Sequence, residues 1–264
     1  MSPDLLFWLS LALKMAVTAG FVIVAAMVAE RAGPAVGALV ATLPVAAGPA
    51  YFFVALDHDA QFISQSALGS IAAHAATGAY ALTYVLLAQR FGVAISVGAA
   101  VAVWFAVALL LRSMSWTFLQ VAAVNLATYA VCIVLTARYR HVRMPGFGRR
   151  WFDIPLRALL VACLVAAVVG SSGHVGPTVT GLLAVFPIVM TSLMIIFQPR
   201  VGGRATAALI AHTMWGLVGF SACLFTVHLA TVRLGTWPGL ALALAVSVTW
   251  NLALWWLRRR GFMR

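Results

Sequence analysis

Acidic side chains are almost missing from this chain. Five Asp and Glu stand among 264 residues, and charged residues of either sign make up only 8%. A soluble domain carries roughly 25%, so an ordinary soluble enzyme is excluded. Lysine is nearly absent too, since Lys14 stands alone beside sixteen arginines. Cys132, Cys163 and Cys223 each sit alone in an apolar stretch. With no CxxC or Cys/His ligand spacing, they imply neither a disulfide framework nor a zinc site. No GxSxG, HExxH or P-loop occurs. All five acids (Asp4, Glu30, Asp57, Asp59 and Asp153) flank apolar runs, so no carboxylate pair falls inside one. Membrane enzymes need an acid, a metal or a base-assisted nucleophile. The chain therefore reads as a non-enzyme, with no catalytic residues, no cofactor and no metal.

What is abundant is apolar surface. Hydrophobic residues make up 64% of the chain, and the mean hydropathy is +1.05. A spanning helix needs about 20 apolar residues, and nine such runs are legible: 5–29, 34–56, 62–88, 91–111, 114–137, 154–171, 176–197, 204–230 and 236–257. The expectation is an all-α, polytopic membrane protein of about nine transmembrane helices. The first run is kept as a span and not a signal peptide, because Asp4 and no basic residue precedes it.

The arginines set the topology. With nine spans, fourteen of the sixteen fall on the side that holds the C-terminus, and only Arg112 and Arg233 on the other. The positive-inside rule then puts the N-terminus outside and the C-terminus in the cytoplasm of a bacterial inner membrane. The same arginines meet anionic lipid at the cytoplasmic face. The net charge of +12 therefore implies a bilayer partner, not nucleic acid.

The two halves resemble each other. Gly33-Pro34 recurs as Gly176-Pro177, Pro44 as Pro187, and Lys14 falls on Arg157, all at an offset of 143. Ala73-His74 recurs as Ala211-His212 after a small gap, and Trp104 and Arg112 meet Trp250 and Arg258. Spans 1–4 thus match spans 6–9, shifted by an odd number of spans, so the second half enters the membrane from the opposite side. This inverted-topology repeat divides the chain into a first four-helix unit (1–112), a linking helix with a basic loop (113–153) and a second four-helix unit (154–264). Such repeats place a site near the midplane in many secondary transporters.

Leu156-Arg157-Ala158-Leu159-Leu160, followed by Gly181-Leu182-Leu183-Ala184-Val185-Phe186-Pro187, resembles the GlpM-like small bacterial inner-membrane proteins. Glu30-Arg31-Ala32-Gly33-Pro34 through Leu43-Pro44 is similar to their relatives. The resemblance covers about three spans of each half. It implies a four-helix unit with a basic residue early in its first helix and a Phe-Pro in its second, and it implies no chemistry. This chain departs from the family in being a fused double unit.

The candidate site residues follow from cost. Proline inside a helix frees a carbonyl, and in lipid the freed groups must meet protein or water. Pro44, with Gly48 and Pro49 beside it, and Pro187 are therefore expected to break their spans at a cavity. His74 and His212, deep in spans 3 and 8, can donate to a substrate or relay protons; a histidine that only bonds a neighbouring helix is the plainer alternative. Lys14 lies roughly 14 Å along span 1. With Arg157 it would form a basic pair that favours an anion, unless both side chains snorkel. Asn125 and Asn251 read as interhelical glue, and Asp57-His58-Asp59 as loop polarity. The functional expectation is a transporter or permease for a small anion or an anionic amphiphile such as a lipid phosphate, with proton coupling through the histidines and oligomerisation both open. The rival is a scaffold that assists assembly of another membrane complex and needs no cavity.

Overall fold

The computed structural model describes residues 3–31, 44–114, 116–142 and 150–260. Among them lie α1 (Pro3–Arg31), α2 (Ala47–Asp57), α3 (Ala60–Leu87), α4 (Val93–Arg112), α5 (Phe118–Thr136), α6 (Asp153–Ala184), α7 (Ile188–Val201), α8 (Gly203–Leu234) and α9 (Thr236–Arg259), with no strand. Seven of these (α1, α3, α4, α5, α6, α8 and α9) are long and apolar enough to cross a bilayer. At about 1.5 Å per residue, a helix of some 20 residues matches the hydrocarbon thickness. The outward faces agree: Leu13, Leu110, Leu119 and Val134 all point away from the protein. Such a continuous apolar exterior is an aggregation hazard in water and an ordinary lipid contact in a bilayer. The protein is a multi-pass membrane protein.

The two remaining expected spans are not single helices. For 34–56, residues 34–43 lie outside the described residues, as do Gly33-Pro34, most of the basic loop at 143–149 and Arg264. The rest of that span is the 11-residue α2. For 176–197, α6 runs on past its expected end into the second region, bends at Gly176, and stops at Ala184; the 14-residue α7 follows. Gly176 takes φ +75°, a left-handed conformation that side chains disfavour. The Gly-Pro pair thus marks a sharp kink where one helical segment ends and the next begins, with no loop between them.

Local signals set the other boundaries. Asp59 caps α3 by accepting the Phe62 N–H at 2.8 Å. Thr117 and Gln120 form a reciprocal capping box at the start of α5. Gly202 alone separates α7 from α8.

The interior is organised around α3, most of which is buried, and α8, which packs along it. Helix α4 packs on α3 and α9 packs on α8, while α1 packs on α6. The packing partners of the first half therefore recur in the second. Helix α5 touches both α3 and α8. In lipid no hydrophobic force drives these helices together, so close packing and interhelical hydrogen bonds must do so. Both are present. Ser66 backbone fills the space a side chain at Gly181 would need, so α3 and the end of α6 meet backbone to backbone. Asn125, fully buried, donates to the Ile71 carbonyl (2.8 Å) and accepts from Ser221 Oγ (2.6 Å), which joins α5 to α3 and α8. Removing it takes away both interhelical bonds and leaves Ser221 only the Leu217 carbonyl of its own helix, at 3.2 Å. Asn125→Ala is expected to lower stability in detergent by about 1–2 kcal/mol. Unfolding titrations of that variant, Ser221→Ala and the double variant should show a clear coupling; strictly additive effects would contradict the bond.

Candidate functional site

Between the start of α2 and the gap that separates α6 from α7 lies a cavity of about 140 Å³. One wall is Pro44, Val45, Ala46 and Ala47, at the start of α2. The facing wall is Ala184 to Met190, which contains the gap between α6 and α7. The α3 residues His74 and Thr77, and the α8 residues Thr213, Gly216, Leu217 and Phe220, complete it. The space exceeds what one water requires several-fold.

The backbone explains why the helices stop here. Pro187 cannot donate, and with ψ 50° it leaves the helical region; α7 then starts at Ile188. Its carbonyl accepts from the Thr191 N–H (2.9 Å) and the Thr191 hydroxyl (2.7 Å). Pro44 plays the same part for α2, its carbonyl accepting the Gly48 N–H at 2.7 Å. The first-turn N–H groups of any helix lack intrahelical partners. Neither α2 nor α7 has a side chain to cap them, because the N-cap residues are Ala46 and Pro187. Backbone carbonyls take up part of these donors, Pro44 holding the Gly48 N–H and Phe186 the Ile188 N–H. Two helix N-termini without side-chain caps, each with its partial positive charge, therefore border one small cavity.

His74 is buried and held from three sides. Its Nε2 lies 3.0 Å from the Leu217 carbonyl, which can only accept, so the proton sits on Nε2. Tyr129 from α5 donates to the His74 carbonyl at 2.9 Å, and Phe220 stands edge-on to the ring at 4.9 Å. Thr77 accepts from Trp104 Nε1 at 3.2 Å, and the Trp104 ring abuts Phe186 at the opposite break. The second indole behaves alike within its own half: Trp250 Nε1 donates to the Trp215 carbonyl at 2.9 Å.

Of the residues singled out from sequence, Pro44, Pro187 and His74 converge on this cavity. Gly48 and Pro49 line a larger apolar cavity of about 480 Å³, which shares Pro44, Val45, Ala47 and Phe220 with the first. Lys14 and Arg157 do not line the crossing. Lys14 Nζ lies 2.6 Å from Asp57 Oδ2, so its charge is neutralised by an acid that the sequence placed in a turn. Together they edge a third cavity of about 410 Å³ with Ser10, His58 and His174. Arg157 lies half-buried near the start of α6. His212 is exposed on α8, with Nε2 3.2 Å from the Arg140 carbonyl, and does not meet His74.

A physical reason separates the two histidines. Helices α3 and α8 begin at Ala60 and Gly203, 143 residues apart, the same offset as Pro44 and Pro187. At that offset His74 falls on Leu217, not on His212. Along the cavity wall six pairs obey this offset: 44 and 187, 45 and 188, 46 and 189, 47 and 190, 74 and 217, 77 and 220. Sequence reasoning missed Thr77, Thr213 and Tyr129; Thr77 lies three residues beyond His74, on the same helical face.

No family model matches the chain, and neither a curated protein nor a solved structure does. Fold and composition together define the class as an integral, multi-pass helical membrane protein.

Proposed function

We propose that this protein is a transporter or permease for an anionic substrate, working at the crossing of two broken helices. The observation that carries the reading is the pair of N-termini without side-chain caps, of α2 and α7, on one cavity. Half-helices that end at the midplane of transporters present their positive ends to anionic groups, and broken backbone in lipid is tolerated only beside protein or water. A scaffold needs no such cavity.

The reading includes nine crossings, with the two broken helices each counted as one, and an inverted repeat of spans 1–4 on spans 6–9. Three observations support it: the constant 143-residue offset of the cavity-lining pairs, the matching helix starts at Ala60 and Gly203, and packing partners that recur between halves. The GlpM-like resemblance belongs to the same proposal, each half being one four-helix unit. The arginine partition orients the chain with its C-terminus in the cytoplasm of a bacterial inner membrane.

The crossing cavity suits a small anion. Its shared wall with the 480 Å³ apolar cavity extends the reading to an anion that carries an apolar tail. His74, at the cavity and linked to Tyr129, is the group that supports coupling to protons. The test is uptake into proteoliposomes, with and without an imposed pH gradient, of chloride, phosphate, short carboxylates and a single-chain anionic amphiphile. At least one is expected to accumulate about tenfold above protein-free vesicles, a free-energy difference of roughly 1.4 kcal/mol. If none moves, transport is the wrong reading and the scaffold gains.

A further inference from the structure

Two ion pairs occupy similar places in the halves. Lys14 on α1 meets Asp57 at the end of α2, and Asp153 on α6 meets Arg200 at the end of α7. Asp57 and Arg200 are 143 residues apart, the offset that relates the two prolines, and Lys14 and Asp153 fall four residues short of it. Each pair ties the first span of a half to the far end of that half's broken helix. Each lies thirteen residues beyond its proline, or about 20 Å along a helix. The charges are reversed between the halves: the base is on the first span in one and the acid in the other.

The two pairs are not equally closed. Arg200 holds Asp153 through both guanidinium nitrogens at 2.6 Å, with side chains only 13% and 10% exposed. Such forked contacts are the strong, oriented ones. Phe152 lies under the Arg200 guanidinium at 5.5 Å, and the Arg150 N–H donates to Asp153 at 3.0 Å. Lys14 makes one contact, and Asp57 is 49% exposed. Beside it lies the 410 Å³ cavity between α1 and α6, where nothing stands within 4 Å of a side chain placed at Gly173.

We propose that these ion pairs are the latches of two gates, with Asp153–Arg200 shut and Lys14–Asp57 ajar. The inference rests on the transport reading above. In inverted halves the ends of α2 and α7 face opposite sides of the membrane, so one broken helix can be released while the other is held. The present structure is then the state closed toward the arginine-rich face. Arg200 and Asp153 set that closure without touching substrate.

The test places a cysteine in the crossing cavity by Thr213→Cys and follows its labelling with a membrane-impermeant maleimide in inside-out vesicles. Peptide mass spectrometry reads the label at residue 213, separately from the native cysteines. With the latch intact, labelling from the arginine-rich face is slow. Arg200→Gln, and independently Asp153→Asn, should speed it about tenfold or more, while Arg200→Lys, which keeps the ion pair but loses the fork, falls between them and the parent. All variants are compared as monodisperse protein in detergent. The latch is refuted if both charge-removing variants label at the parent rate, or if Arg200→Lys labels as fast as Arg200→Gln. If residue 213 stays unlabelled from either face in every variant, the crossing is not on a pathway, and the transport reading falls with the latch.

Discussion

Ala46→Asp is expected to reduce anion transport about tenfold or more while leaving the protein folded. A carboxylate at Ala46 meets the partial positive charge of the α2 N-terminus, an interaction worth about 0.3–1 kcal/mol; it gains little as a cap, because the Gly48 N–H is already held by the Pro44 carbonyl and Pro49 has none. The helix is therefore held at least as firmly as before. The same carboxylate takes the place an incoming anion needs and repels it across a cavity of only about 140 Å³. Ala46→Asn separates charge from size, because it is the neutral isostere of Asp. Uptake assays beside thermal unfolding should find Asn well above Asp in transport and the two alike in stability. Equal transport by both variants and the parent would mean that the α2 N-terminus is not where the anion sits.

The second large effect is expected at His74. His74→Ala removes the imidazole that joins α3 to the Leu217 carbonyl and Tyr129. It should cost about 1–3 kcal/mol of stability through the groups left unbonded and lower transport by at least about tenfold. His212→Ala, at an outward-facing position where the ring meets the Arg140 carbonyl, should stay within about twofold of the parent, as surface substitutions usually do. Transport and melting temperature on the same preparations decide it. The opposite ranking, with His212→Ala crippled and His74→Ala silent, would overturn both the site and the ungapped correspondence of the halves.

How far the sequence carried depends on the length scale of each feature. The long helices were legible because a bilayer demands unbroken apolar runs. The two breaks were legible because proline cannot be hidden in such a run. Asn125 was legible as glue, since a lone amide in a span must find a partner. The Lys14–Asp57 pair was not: its members are 43 residues apart, and nothing in a single chain pattern reveals that the end of α2 returns to the side of α1. Arg200 and Asp153 were read as part of a charge bias for the same reason. The expected convergence of His74 and His212 is not found, since His212 faces outward. A short Ala-His match with a five-residue gap outweighed the ungapped offset that helix starts at Ala60 and Gly203 obey. The boundary at Gly176-Pro177 was legible because Gly-Pro commonly ends a helix, and the backbone does leave the helical region there, although no loop separates the two segments of α6.

The most direct measurement is an anomalous-scattering structure of the protein equilibrated with bromide or selenate. An anion held at the crossing should give a peak within hydrogen-bond distance of the backbone N–H groups at the starts of α2 and α7, beside His74 and Thr77. Peaks confined to the surface arginines, with none in the crossing cavity, would contradict an anion site built from two broken helices.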